Sequence, residues 1–189
     1  RVGPDQIITF SLDYANAGGI TQTQVLITDP IPAFTTYIAG SATNIAGVLT
    51  PTYSTDGGTT YQTAEPANPA TVTHLRWELA EMTPGMNGTA SFQTRVATVD
   101  TLPNATDIRN QASLTSAQGA RIFSNQVVIP TVKLTLDKLG PGIVVPGATF
   151  TYTLRFGNPG SGAAAALLSD TLPANVTFIS ANPAPATTA

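Results

Sequence analysis

Cysteine is absent from the 189 residues. That excludes disulfides, thiolate metal sites and a thiol nucleophile, and it favours a prokaryotic over a eukaryotic secreted domain. Charge is also scarce: Asp, Glu, Lys and Arg make up 10% of the chain, against roughly 25% in an average soluble domain. Little repulsion is then left to hold copies apart, and a surface of Thr, Ala, Asn, Gly and Pro suits secreted β proteins that pack against themselves. The basic residues are scattered from Arg1 to Arg155, with no stripe interleaved with aromatics, so a nucleic-acid partner is not expected. Apolar runs are too short to span a bilayer, so this segment is not expected to insert into a membrane. No leader pattern is visible, and a chain that starts at Arg1 reads as a processed product or an internal segment.

What the chain does have is period-two alternation. Ile8, Phe10, Leu12 and Tyr14 face one way, with Thr9, Ser11 and Asp13 opposite. Leu75, Trp77 and Leu79 alternate with His74, Arg76 and Glu78; Ala90, Phe92, Thr94 and Val96 alternate with Ser91, Gln93 and Arg95. Shorter strands are expected over 24–28, 107–115 and 124–129. Gly, Pro and Asn punctuate the intervals, at Ala17-Gly18-Gly19, Asp56-Gly57-Gly58, Pro84-Gly85 and Leu102-Pro103-Asn104. About seven strands with one polar and one apolar face predict an all-β fold, an Ig-like two-sheet antiparallel β-sandwich. Trp77, Phe92, Tyr14 and Phe10 are expected in its core rather than on a carbohydrate platform.

The chain also repeats itself. VGPDQIITFSLDYAN (2–16) matches VVPGATFTYTLRFGN (144–158), which sets Phe10 on Tyr152, Leu12 on Leu154, Tyr14 on Phe156 and Asn16 on Asn158. TDPIPAFTTYIAGSA (28–42) matches SDTLPANVTFISANP (169–183), which sets Asp29 on Asp170 and Tyr37 on Phe178. Residues 1–130 read as one nearly complete repeat without its usual first strand. Residues 131–189 read as the first part of a second, opened by the strand VKLTLDK (132–138) and completed by a neighbouring copy or by chain outside this segment.

The order of these features resembles a known family. An alternating aromatic strand (Phe10 to Tyr14) leads to Asn16 and Gly18, then to Asp29-Pro30-Ile31-Pro32 and the strand start Tyr37. Trp77-Glu78-Leu79, Pro84-Gly85, Asn110-Gln111-Ala112 and Ser124-Asn125 follow. This pattern resembles the DUF11 repeat, an Ig-like domain found in tandem on prokaryotic surface proteins. Ala80 departs from it, standing where the family usually has Gly. The resemblance implies an extracellular, cell-surface, structural or adhesive setting, and brings no catalytic residues.

Candidate chemistry is sparse. His74 is the one histidine and lacks a sequence partner that would orient a base; it reads as a solvent-facing strand residue. Asp13, Asp29, Asp56 and Asp170 could offer oxygens to Ca²⁺, but no acidic spacing of a calcium loop is present, and Asp and Asn in turns more simply accept backbone N–H bonds. No other cofactor or metal is expected. Asn87, Asn104 and Asn175 each open an Asn-x-Thr glycosylation pattern, a pattern that abundant Thr also produces by chance. Lys133 and Lys138 raise an intramolecular isopeptide bond to an Asn such as Asn110 or Asn125, which needs a catalytic Glu or Asp beside the pair in a dry core. An exposed Lys138 at a strand end is the plainer reading.

These observations favour a structural subunit of a stalk, sheath or filament. Its expected partners are copies of itself, joined head to tail through strand edges, with Val132, Leu134, Leu136 and Lys138 on the joining strand. The alternative is an adhesin or glycan-binding module that recognises through its sandwich-end loops, the insert 40–70 above all. An enzyme is disfavoured. A chain excised from a longer tandem array would give the same sequence pattern, and the mass of the native protein would separate the two.

Overall fold

A computed structural model describes residues 1–43 and 50–184. It is all-β apart from a short 3-10 helix at Pro69–Thr71. One antiparallel sheet has the order β1 (Ile7–Ala15), β6 (Asn87–Val96), β3 (Thr35–Tyr37). The other has the order β4 (Thr52–Ser54), β5 (His74–Met82), β2 (Gln22–Pro30), β8 (Ser113–Ser116), β9 (Gly119–Phe123). A further ladder, β7 (Asp107–Asn110) with β10 (Val127–Pro130), continues the β8–β9 hairpin below a bend at Gln111-Ala112. In the second repeat β11 (Thr135–Leu139) pairs with β12 (Thr153–Gly157).

The alternation read from sequence is what builds this sandwich. Ile8, Phe10 and Tyr14 of β1, Val25 and Ile27 of β2, Leu75, Trp77 and Leu79 of β5, and Ala90, Phe92 and Val96 of β6 are all buried. Their opposite-facing neighbours carry the polar surface. Phe10 lies directly across from Phe92 in the ladder and stacks on it at 5.4 Å between centroids. Trp77 is fully buried, and its indole N–H donates to the Thr43 carbonyl at 3.0 Å, which satisfies the one polar atom that burial would penalise. Each such side chain contributes about 1.5–3 kcal/mol by leaving water.

The strand count differs from the sequence reading. The run expected over 107–115 breaks into β7 and β8, and the one expected over 124–129 narrows to β10. The break has a local cause: the Ser124 hydroxyl takes the Ala112 N–H at 3.0 Å and the Gln111 side chain donates to the Ser124 carbonyl at 2.8 Å. Two side chains thus hold the hairpin where the ladder is interrupted. Strands β4 and β9 carry too short an apolar pattern to be recognised in advance.

The repeat is visible in hydrogen bonds as well as letters. The Asn16 side chain accepts the Gly18 N–H at 3.1 Å and donates to the Ile20 carbonyl at 2.9 Å. Asn158 does the same with Gly160 at 3.1 Å and Gly162 at 2.8 Å. Both asparagines are turn-holders. Asn16 also reaches the Met82 carbonyl at 2.8 Å, tying the turn to β5.

The two repeats meet in a bonded joint. Val2 pairs in parallel with Thr131, whose side chain is buried and donates to the Thr106 carbonyl at 2.6 Å. The Val132 N–H donates to the Val2 carbonyl at 2.8 Å. The Lys133 ammonium donates to the Leu102 carbonyl at 2.6 Å. The strand expected over 132–138 therefore begins at Thr135, because Val132 and Lys133 are engaged at the joint.

Candidate functional site

Strand β1 is paired with β6 on one side only, so its other edge carries unpaired backbone groups among the described residues. Beside that edge, between β1 and the β8–β9–β10 hairpin, runs a groove of about 290 Å³. Phe10, Leu12 and Tyr14 line one wall. Leu114, Ile122, Phe123 and Val127 line the other, and Asp29 and Asn110 lie at its base. Ile122 and Phe123 are 60% and 63% exposed and Val127 is 39% exposed. These three side chains form an exposed apolar lip.

The polar pair at the base is unusual for a sandwich interior. Asp29 shares the inward face of β2 with Val25 and Ile27, and Asn110 shares the inward face of β7 with Ile108; both are buried. The Asn110 amide donates to Asp29 Oδ2 at 3.2 Å. Asp29 Oδ1, Asn110 Oδ1 and the Tyr14 hydroxyl have no hydrogen-bond partner among the described residues. Burial pushes the Asp29 carboxyl up to about 7, against a smaller lowering by the Asn110 bond. Three orphaned polar atoms around one groove are costly, each of the order of 1–3 kcal/mol.

The second repeat holds the matching arrangement with a different partner. There β11 lies along β12, the counterpart of β1, with Leu136 opposite Phe156 and Lys138 opposite Leu154. The Lys138 ammonium pairs with Asp170 at 2.6 Å and lies 4.2 Å from the centre of the Tyr152 ring. Asp170 is the counterpart of Asp29, and Tyr152 that of Phe10. Lys138 is exposed, as the sequence reading expected of a residue at a strand end, and so is every residue of β11. Leu134 and Leu136 are 50% and 57% exposed.

The remaining candidates lie apart from one another. Asp13 accepts the Thr89 hydroxyl at 2.6 Å on the outer face of β1. Asp56 organises the turn after β4, accepting from Ser54, Thr59 and Thr60, and these bonds hold its carboxyl well below the usual range. Among the described residues no three acidic or histidine side chains gather around a common point. His74 is half-buried; its Nδ1 lies 3.2 Å from the Thr73 hydroxyl, and burial lowers its pKa. Asn87, Asn104 and Asn175 are all exposed. Asn125 lies at the rim of the groove. Of the insert 40–70, residues 44–49 fall outside the described residues. No helix among the described residues is long and apolar enough to cross a membrane.

No family model matches the sequence, and no curated protein matches it. Among solved structures the chain is similar to the RrgA Jo.In complex, at 14% identity over 66% of this chain and 72% of that one, with a TM-score of 0.44. It is similar to BcpA, the major pilin subunit of Bacillus cereus, at 12% identity over 83% of this chain and 51% of that one, with a TM-score of 0.45. It is also similar to AvmM, which catalyses macrocyclization in alchivemycin A biosynthesis, at 12% identity over 89% of this chain and 86% of that one, with a TM-score of 0.33.

Proposed function

We propose that this chain is an extracellular structural repeat protein whose copies join head to tail by strand addition. In this exchange residues 132–139 of one copy give up their pairing with β12 and with the joint and lie along the edge of β1 in the next. The observation that supports this reading is the edge of β1, which among the described residues pairs with β6 on one side only and flanks a groove with an exposed apolar lip. Transferring the β11–β12 register by the repeat offset sets Leu136 opposite Tyr14 and Lys138 opposite Leu12. Both then point into the groove, and the added strand satisfies the free backbone groups of β1. Burying Leu134 and Leu136 there contributes about 1.5–3 kcal/mol each.

One contact in this register is unfavourable. Asp137, which faces Arg155 in its own repeat, comes opposite Asp13 on the outer face. Like charges across strands cost about 0.2–1 kcal/mol, so Asp13→Arg is expected to strengthen association and added salt to do so weakly.

Leu136→Asp is the direct test. Leu136 is more than half exposed in the single chain, so the substitution leaves the sandwich of 1–130 folded. Sedimentation of the variant is expected to show single chains at concentrations where the parent chain associates. Unchanged association of a folded Leu136→Asp variant would remove strand addition from the account.

A further inference from the structure

We propose that the outer face of the five-stranded sheet carries a binding site for an acidic oligosaccharide, with Arg121 taking a sugar carboxylate. The site stands apart from strand addition, because β1 belongs to the other sheet. A second groove, of about 360 Å³, crosses β5, β2, β8 and β9 on that face. Its floor is a row of residues in register. Arg76 of β5 lies across from Thr28 of β2, Thr28 from Ser113 of β8, and Ser113 from Phe123 of β9. Thr115 and Arg121 line the same groove, two residues from Ser113 and Phe123 and so on the same face of their strands. Three strand spacings separate Arg76 from Phe123, about 14 Å. That length suits a short chain of rings better than a small ion.

The wall beside β5 is the turn after β4, and it is firmly held. Asp56 accepts from Ser54, Thr59 and Thr60. The Gly57 and Gly58 amides donate to the Thr73 and Ser54 hydroxyls at 3.1 and 2.9 Å. Gly58 has a φ of +85°, and a Cβ there would lie 3.2 Å from the Tyr61 hydroxyl and 3.3 Å from the His74 ring. This close approach sets Tyr61 against the sheet, with the centre of its ring 3.8 Å from the Arg76 guanidinium carbon.

The lining matches a sugar acid. Thr28, Ser113 and Thr115 carry hydroxyls, which both give and accept hydrogen bonds, as ring hydroxyls do. Phe123 is 63% exposed and offers an apolar face to the C–H side of a ring. Among the described residues the groove is lined by two arginines and by no Asp or Glu. Arg76 is paired with Glu78, whereas Arg121 forms no ion pair among the described residues. Its planar fork fits a carboxylate through two parallel hydrogen bonds. His74 adds no charge at neutral pH, since burial lowers its pKa. A peptide fits this floor less well, because the backbone groups of β2 are taken up in its ladders with β5 and β8.

NMR titration of the 189-residue chain tests this, with hyaluronan hexasaccharide, trigalacturonate and sialyllactose as carboxylated probes. Maltohexaose serves as the neutral sugar and triglutamate as the acidic peptide. At least one carboxylated sugar is expected to bind and to shift the amides of Thr28, Ser113, Thr115 and Arg121. Arg121→Ala, on an exposed edge strand, is expected to weaken that binding about tenfold or more. Ser113→Leu, which fills the floor from the outer face, is expected to do the same while circular dichroism still reports a folded chain. Absence of binding by all three carboxylated sugars overturns the site. Equal binding of maltohexaose overturns the role of Arg121, and equal binding of triglutamate overturns the sugar as ligand. Binding that survives in both folded variants places the ligand elsewhere and overturns the proposal.

Discussion

Asp29→Asn is expected to raise stability at pH 8 and to leave it nearly unchanged at pH 4. The native carboxyl titrates at about 7 against 3.8 for an unperturbed one, chiefly because burial penalises its charge. Between those values the folded chain binds a proton that the unfolded chain releases, so stability falls as pH rises through the window. Below 3.8 both states are protonated and the contribution is intact; above about 7 both are ionised and the loss is complete. At about 1.4 kcal/mol per pH unit, the gap amounts to roughly 4 kcal/mol at most. Asparagine keeps the shape, stays neutral and can exchange hydrogen bonds with Asn110. Asp56 titrates in the opposite sense, its lowered pKa giving stability that is lost on acidification, but it is common to both proteins and cancels. Urea unfolding followed by Trp77 fluorescence at pH 4, 6 and 8 reads the difference. A gap that is flat with pH, or a variant less stable at pH 8, would refute the claim that burial holds the Asp29 carboxyl towards its neutral form.

Gly88 lies opposite Tyr14 in the β1–β6 ladder, and a Cβ there would collide with the Tyr14 phenol. Gly88→Ala is expected to cost about 1–3 kcal/mol in urea unfolding, with Tyr14→Leu restoring part of it. Asn16→Ala leaves the Ile20 and Met82 carbonyls and the Gly18 N–H without their partner. It is expected to destabilise by about 1–3 kcal/mol, and thermal melts of the variant check it.

Much of the sandwich was legible because its apolar positions recur every second residue, as in β1, β5 and β6. The same parity was available for the groove. Val25, Ile27 and Asp29 share a face, as do Ile108 and Asn110, and Leu134, Leu136 and Lys138. A polar residue continuing an apolar face is the signal. At Asp29 the signal is masked by the Asp-Pro turn motif that it begins, and at Lys138 by the strand end, where an exposed lysine is ordinary. The meeting of Asp29 with Asn110 depends on β2 and β7 coming together across most of the repeat, which no local pattern encodes. Strand β9 stayed hidden for a different reason: Gly119, Arg121 and an exposed Ile122 and Phe123 give it no buried face to announce.

The central claim is that the edge of β1 is taken by a strand from another copy. Segment-resolved hydrogen exchange of Ile7–Ala15 as a function of chain concentration tests it most directly. The account predicts that the amides not bonded to β6 exchange rapidly in dilute chain and slow as concentration rises, and that Leu136→Asp abolishes the slowing. Exchange along β1 that is fast at every concentration, or protected equally in the dilute parent chain and in the variant, would contradict it.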